Sequence, residues 1–518
     1  MLCKLLQAFS TRRAGAFAGL LAALILAAPA SATWSIVVLN RLTGELAVAT
    51  STCINNSDIS RAVPVIRVGY AAGAAQSFVL SNASNRRKIF RNSLRGATPQ
   101  QLLDHIEATD GGFRDRQFGI VTFTGPPVTH TGTDNGDHAS GVAGQFGEYD
   151  YPIQGNVLTG PNEIADAEAA FLGTNGDLGQ RIVAAMEAAR DAGGDGRCSC
   201  AAGNPTGCGS PPANFQYASY NAFMAISRLG DSDAPCLGTT GCAAGDYYMR
   251  LNYVGTPATQ EPIAALRDQY TAWRAALVGV ADHVHSTVNV GARRLQADGA
   301  MRTRIDIDLR DLDGVPLGSG GQSISVVRLD GHPVATFENA VDNGDGTHSI
   351  DMVSTLSTGT GEFAVVVEGS GSRPVQLYPP IEIESVPPSE LHIGMPGLSA
   401  SDPAPLPLYV NKGSVDAGAS YRILGSLSGT SPGQVIGGVA VPLNSDRFFE
   451  FTEAWAGGAP FEGISGALNA DGRAEALFTP RAGGFSALIG TEISFSAFVM
   501  PAMGVASATA PATTMILP

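Results

Sequence analysis

Six of the seven cysteines, Cys53, Cys198, Cys200, Cys208, Cys236 and Cys242, lie between residues 53 and 242 of a 518-residue chain, and no cysteine follows. An even number of cysteines behind an export signal points to three disulfides, among fifteen pairings that the sequence leaves open. Zinc is the rival reading, with Cys198, Cys200 and Cys208 as thiolate donors, but the usual C-x-x-C pairs are missing. The cross-links would confine one half of the chain. The half beyond about residue 283 must fold without them.

The export signal is read from residues 1–32. Lys4, Arg12 and Arg13 precede or flank an apolar run from Ala14 to Ala28, no acidic residue is present, and Ala30-Ser31-Ala32 has the form of a cleavage site. The apolar run is too short for a transmembrane anchor, and no later segment is a candidate span. The formal charge of −15 becomes −18 for residues 33–518 once those three cations are removed. Such an acidic chain repels nucleic acid and anionic lipid, which excludes both as expected partners. The expected location is secreted, periplasmic or on the cell surface.

The first half mixes two periodicities. TWSIVVLN (33–40) and GELAVATST (44–52) read as strands joined by a tight turn, and GYAAGAAQSFV (69–79) and RQFGIVTFTG (116–125) as two more. Thr98-Pro99 announces a helix over QQLLDHIEA. Further helices are expected over 162–172, 177–192 and 262–284, and strands over 218–227 and 246–254. Strands, helices, strands and a helix in that order suit an α+β domain of two sheets packed between helical layers, over residues 33–283. After it, short alternating strands at 305–314, 324–331, 342–353 and 359–369 predict an immunoglobulin-like sandwich over 284–386. Residues 387–407, rich in proline, read as a linker, and 408–518 as a second all-β sandwich module.

Chemistry is suggested first by Thr33. If cleavage follows Ala32, this residue carries a hydroxyl and a free α-amine together. An amine with a reference pKa of about 7.7–8.0 suits general-base work near neutral pH. Nucleophile and base then share one residue.

The runs TWSIVVLNRLTGELAVAT, GYAAGAAQSF, FGIVTFTG, YPIQGNVLTGP and AGGDGR occur in an order that resembles the domain of unknown function family number 1028. Gln154-Gly155-Asn156 followed by Leu158 and Gly160-Pro161 is the most specific piece. The resemblance spans roughly residues 33–283 and implies a four-layer αββα sandwich of the N-terminal-nucleophile (Ntn) hydrolase kind, with the family's early threonine at Thr33. Thr52-Cys53 stands where relatives usually have Ser-Arg, so a guanidinium is missing there. A cysteine-rich insertion, CSCAAGNPTGCGSPP, follows Arg197. Asn156 is the candidate oxyanion donor and Asp195 a candidate partner of the amine, giving Thr33, Asn156 and Asp195 as expected catalytic residues. Thr52, Gln154 and Arg197 are expected to line the substrate site. The later modules resemble bacterial surface-protein sandwiches, DNGDGTHS and GTGEFAVVV being like an invasin-type repeat.

Other signals point to structure. His130, Asp134, Asp137 and His138 read as a polar loop and not a metal site. Asp282-His283-Val284-His285 reads as surface residues at a helix end. The acidic run Asp306, Asp308, Asp311 and Asp313 lacks the register of a calcium loop, and DNGDG (342–346) reads as a hairpin turn. No metal or organic cofactor is expected. The function these residues imply is an exported Ntn-type hydrolase acting on an amide or related acyl bond, the substrate a small molecule, a peptide or a cell-wall amide. The alternative is a secreted, adhesin-like binding protein whose Ntn-like domain is inactive.

Overall fold

The first strand, β1 (Thr33–Asn40), is buried along its whole length, which explains why its apolar residues run together instead of alternating with polar ones. Its even-numbered residues Trp34, Ile36 and Val38 enter one core cluster, and Val37 and Leu39 enter another. The structure is a computed structural model that describes residues 33–136, 138–201, 203–257, 259–455, 457–501 and 504–518. The export signal of residues 1–32, and Asp137, lie outside the described residues.

The remaining elements of the first half are β2 (Leu46–Thr52), β3 (Pro64–Arg67), β4 (Ala71–Gln76), α1 (Ser84–Asn92), α2 (Pro99–Glu107), β5 (Gln117–Thr122), β6 (Val128–Thr131), β7 (Ser140–Phe146) and β8 (Tyr149–Asn156). They continue with α3 (Asn162–Gly173), α4 (Leu178–Asp191), the short α5 (Gly196–Ser199), β9 (Asn221–Ser227), β10 (Met249–Val254) and α6 (Pro262–Ala275). Two sheets result, one of six strands in the order β10-β9-β2-β1-β8-β7 and one of four, β3-β4-β5-β6. The six-stranded sheet packs one face on α3, α4 and α6 through Ile164, Phe171, Ile182, Met186, Ile263 and Leu266. Its other face meets Ile66, Ala72, Ala74 and Val121 of the four-stranded sheet. That second sheet carries α1 and α2 on its far side, through Ile89, Leu102, Ile106, Phe118 and Ile120.

Local chemistry fixes the helix starts. Thr98 and Gln101 form a reciprocal capping box with Pro99 at the first turn, and Asp177 with Gln180 does the same for α4. The last helix of this half, α6, is shorter than its periodicity predicts. It ends at Ala275, and Gly279, at φ 72°, sits in the turns that follow.

The second half is mostly β-sheet. Residues 287–386 form two sheets around a core containing Leu295, Ile305, Met352, Phe363, Val365 and Ile383. DNGDG is a turn there, with Gly344 and Gly346 at positive φ. Two further sheets around Leu408, Phe461, Phe478 and Phe495, with a two-stranded ribbon of Gln434–Ile436 and Val439–Val441 and a helix at Arg447–Ala454, make up the next unit. The Pro-rich stretch 387–407 differs from a plain linker, since Leu391–Ile393 pairs with Leu406–Asn411 and Gly397–Ser399 with Ala512–Leu517. Its Leu391, Ile393 and Leu398 are core residues, and their burial outweighs the extended bias of the prolines. In each sandwich the second strand pairs in parallel with the last: Arg294–Gln296, which follows Thr287–Val290, with Ile381–Val386, and Gly397–Ser399, which follows Leu391–Ile393, with Ala512–Leu517.

Candidate functional site

Antiparallel pairing places the start of β1 beside the ends of its two neighbours. Thr33 opposes Asn156 of β8 in register, and Trp34 opposes Ser51 of β2. At this end of the layer between the sheets the apolar filling gives way to polar side chains. Thr33, Ser35, Thr50, Thr52, Gln154 and Asn156 come from the large sheet, and Gln76 and Gln117 from the small one. All eight are buried.

The Thr33 hydroxyl lies 3.4 Å from Thr52 Oγ1. Thr52 Oγ1 in turn accepts a bond from Arg197 Nη2 at 3.3 Å. Arg197 grips the Asp195 carboxylate with two nitrogens, Nε to Oδ1 at 3.0 Å and Nη2 to Oδ2 at 2.7 Å. The same carboxylate accepts the backbone amides of Arg197 at 3.0 Å and Cys53 at 2.7 Å. Buried and four times bonded, Asp195 is a brace that aims Arg197. The Cys53–Cys198 disulfide stands one residue beyond Thr52 and one beyond Arg197, with Cα atoms 5.7 Å apart. A guanidinium therefore does reach the end of β2, delivered by a different part of the chain. The other two disulfides are Cys200–Cys208 and Cys236–Cys242, so all six cysteines after residue 33 are paired.

Beneath Thr33 runs an amide network that sequence reasoning missed. Gln76 Nε2 donates to the Thr33 carbonyl at 2.9 Å and to Gln117 Oε1 at 2.7 Å, and the Ser35 hydroxyl donates to Gln76 Oε1. Asn156 Nδ2 donates to the same Gln117 oxygen at 3.0 Å, while Asn156 Oδ1 and both polar atoms of the Gln154 amide have no hydrogen-bond partner among the described residues. Space for Gln154 exists because residue 119 is glycine, where any Cβ would overlap the Gln154 amide. The signal available in the sequence was a glutamine at the edge of each of two apolar strands, Gln76 closing AAGAAQ and Gln117 opening QFGIVT. Tyr220, whose amide donates to the Thr52 carbonyl at 2.9 Å, also went unnoticed. Burial, with the nearby Asp195 charge, raises its hydroxyl above the ordinary tyrosine range.

The described residues of the 129–138 stretch make ordinary contacts. The His130 ring stacks on Phe113 at 3.9 Å, and Asp134 pairs with Arg114 at 3.1 Å. The Asp282–His285 run corrects its sequence reading, since Asp282 and His283 are buried. Arg228 draws Asp282 inward with a 2.8 Å ion pair.

The fold and site thus define a modular protein, a mixed α/β domain with a polar cluster at the start of a central strand, followed by β-sandwiches. Residues 33–203 match the model of a family of unknown function (DUF1028), and residues 282–379 match that of invasin domain 3. Among solved structures, a protein of Silicibacter pomeroyi carrying the same family model is 19% identical, with 47% of this chain and 86% of that one covered at a TM-score of 0.34. The adhesin InvE of Yersinia pseudotuberculosis is 16% identical over 46% of this chain and 60% of its own, at 0.19. The Escherichia coli adhesin FdeC is 9% identical over 94% and 97%, at 0.17. No curated protein matches the chain. No helix among the described residues is long and apolar enough to cross a membrane.

Proposed function

We propose that residues 33–283 form an Ntn-type αββα domain of an exported hydrolase, activated when cleavage after Ala32 frees the Thr33 amine. The observation that carries this reading is the convergence of Thr33, Thr52 and Arg197 at one end of the layer between the sheets. Thr33 Oγ1 attacks the acyl carbon and its proton passes to the Thr33 amine. The tetrahedral intermediate collapses, the amine hands that proton to the leaving nitrogen, and a Thr33 ester remains. Water then adds to the ester, its proton taken by the amine, and the acid leaves as the hydroxyl is restored. Arg197, two hydrogen-bond lengths from Thr33 Oγ1 and held by Asp195, is the proposed substrate-binding cation. Asn156 Nδ2 has a second hydrogen beyond the one given to Gln117, and this is the proposed oxyanion donor. The bond cleaved is an amide or related acyl bond. The three disulfides and the invasin-like segment support a destination outside the cytoplasm.

The test is to add one residue ahead of Thr33 in the mature protein and compare labelling by a small electrophilic acyl probe. The native protein should be labelled once, at Thr33, and the extended one not at all. Equal labelling of the two would sink the mechanism. A second reading, in which the first domain is inert and the chain is an adhesin-like binder, is favoured by the invasin domain 3 match at residues 282–379. It predicts no labelling of the native protein and surface binding that survives Thr33→Ala.

A further inference from the structure

The charge of the chain is not spread evenly. Between Ile59 and Leu103 there are seven cations and no acidic residue, in a protein that is strongly acidic elsewhere. Arg61 and Arg67 are paired with Asp58 and Asp233, and Arg86 is buried against the Arg61 and Leu80 carbonyls. That leaves Arg87, Lys88, Arg91 and Arg95, none of which has a carboxylate within ion-pair distance among the described residues. Arg87 holds the Asn82 carbonyl and Lys88 the Asn85 side-chain oxygen at 3.2 Å, both of them neutral groups. Asp110, whose field reaches Lys88, is already bonded to Arg116 at 3.0 Å and to Asn85.

The spacing of the sequence concentrates these charges. Ser84, Arg87, Lys88, Arg91 and Asn92 recur at i, i+3, i+4, i+7 and i+8 of α1 and so share one face, opposite the buried Ile89 and Phe90. Arg87 and Arg91 are four residues apart and Lys88 and Arg91 three, which makes them like-charge neighbours on a face that repels itself. This face lines a recess of about 360 Å³, to which Asn82 and His105 of α2 also contribute. Helices α1 and α2 cover the side of the four-stranded sheet that looks away from the six-stranded one, so the recess is separate from the cluster around Thr33.

A recess lined in this way selects its occupant by charge and by size. Three cations on one wall, two of them guanidinium forks, suit a dianionic phosphate. The volume lies within the range of small-molecule sites and leaves room for a body beyond the phosphate. Around the cations the lining is Asn82, Ser84, Asn92 and His105, whose amide, hydroxyl and imidazole groups bond to hydroxyls, and every lining residue is polar or charged. The body that fits is hydroxylated and not hydrocarbon.

We infer that the recess between α1 and α2 binds a phosphorylated sugar, with Arg87, Lys88 and Arg91 on the phosphate and Asn82, Ser84 and Asn92 on the sugar hydroxyls.

The probe is glucose 6-phosphate, titrated calorimetrically into the full mature chain at low salt, where screening is weak, with inorganic phosphate and glucose for comparison. One saturable site per chain is expected for glucose 6-phosphate. Inorganic phosphate should bind about ten-fold more weakly, the weight of one hydrogen bond to the sugar, and glucose should give no measurable binding. Arg91→Gln should weaken glucose 6-phosphate by about ten-fold or more, the loss of one charge-assisted hydrogen bond. Arg328→Gln, which removes the same charge from an exposed residue of the first sandwich, should leave the affinity unchanged. Thermal unfolding establishes that each variant is folded, and Lys88→Gln replaces Arg91→Gln if the latter is not. Absence of saturable binding, or equal weakening by the α1 variant and Arg328→Gln, overturns the site. Equal affinity for inorganic phosphate and glucose 6-phosphate overturns the recognition of a sugar. Binding to phosphatidylglycerol vesicles without binding of glucose 6-phosphate assigns the surface to a membrane and also overturns the proposal.

Discussion

Replacing Cys53 and Cys198 together by serine should cost the α/β domain more stability than losing either of the other two disulfides. The Cys53–Cys198 bridge spans 145 residues, against 8 for Cys200–Cys208 and 6 for Cys236–Cys242. A cross-link restricts the unfolded chain in proportion to the logarithm of the loop it closes. Entered in that relation, the long bridge contributes about 5 kcal/mol at 25 °C and each short one about 2 kcal/mol. Urea unfolding of the secreted protein, with hydrogen exchange read on peptides from Thr33–Asn40 and Leu46–Thr52, isolates the affected domain. Because the bridge flanks both Thr52 and Arg197, the same variant should be labelled more slowly by the acyl probe under conditions where it is still folded. A double Cys236→Ser/Cys242→Ser variant destabilised as much as the Cys53/Cys198 variant would refute the loop-size argument.

Arg228→Met should destabilise by about 3–5 kcal/mol at pH 7, because it strands two buried carboxylates, Glu45 and Asp282. In the native protein burial pushes Asp282 up, yet Arg228 and the adjacent histidines outweigh it and hold the carboxyl well below the usual range. Its contribution is therefore present above the unfolded pKa and lost only as pH falls through the depressed folded value. Without Arg228 only the Val284 and His285 amides and the neighbouring histidine rings oppose the burial penalty and the folded pKa rises, so the deficit of the variant should shrink between pH 7 and pH 4.5; urea midpoints at the two values check this. Gly119→Ala should cost about 1–3 kcal/mol by driving a methyl into the Gln154 amide, measured as a shift in urea midpoint. Gln76→Leu should cost about 1–3 kcal/mol by removing the buried amide that bonds Ser35, Gln117 and the Thr33 carbonyl, and acyl labelling should fall as the start of β1 loosens.

The sequence disclosed the elements that obey one periodicity. The continuous apolar run of β1, the capped start of α2 and the helical period of α4 were legible because their signals are local. Strand β8 was noticed only as a motif, since Tyr149, Tyr151 and Ile153 face helices while Gln154 and Asn156 face a polar cluster, and no single pattern covers both. The pairing of Cys53 with Cys198 required knowing that the end of β2 meets α5, which no spacing reveals. Thr33, Thr52 and Arg197 were each named from the sequence; that they touch in a row was not. Gln76 and Gln117 escaped because a glutamine at the end of a strand looks like surface until the second sheet covers it. His283 was misread for the complementary reason, its burial depending on an ion pair between Asp282 and Arg228, 54 residues apart.

The parallel pairing of the second strand with the last in both sandwiches bears on how the molecule carries load. When a chain is pulled from its two ends, strands that enter and leave a module side by side in the same direction are dragged past one another lengthwise. Their bonds, slanted and evenly spaced, must then give way together instead of opening one after another from an end. Arg294–Gln296 against Ile381–Val386, and Gly397–Ser399 against Ala512–Leu517, act as two such clasps in series. Tension entering from the N-terminal side would first meet the antiparallel strands Thr287–Val290 and Leu391–Ile393, and these short parallel seams would stand next in line, loaded in shear.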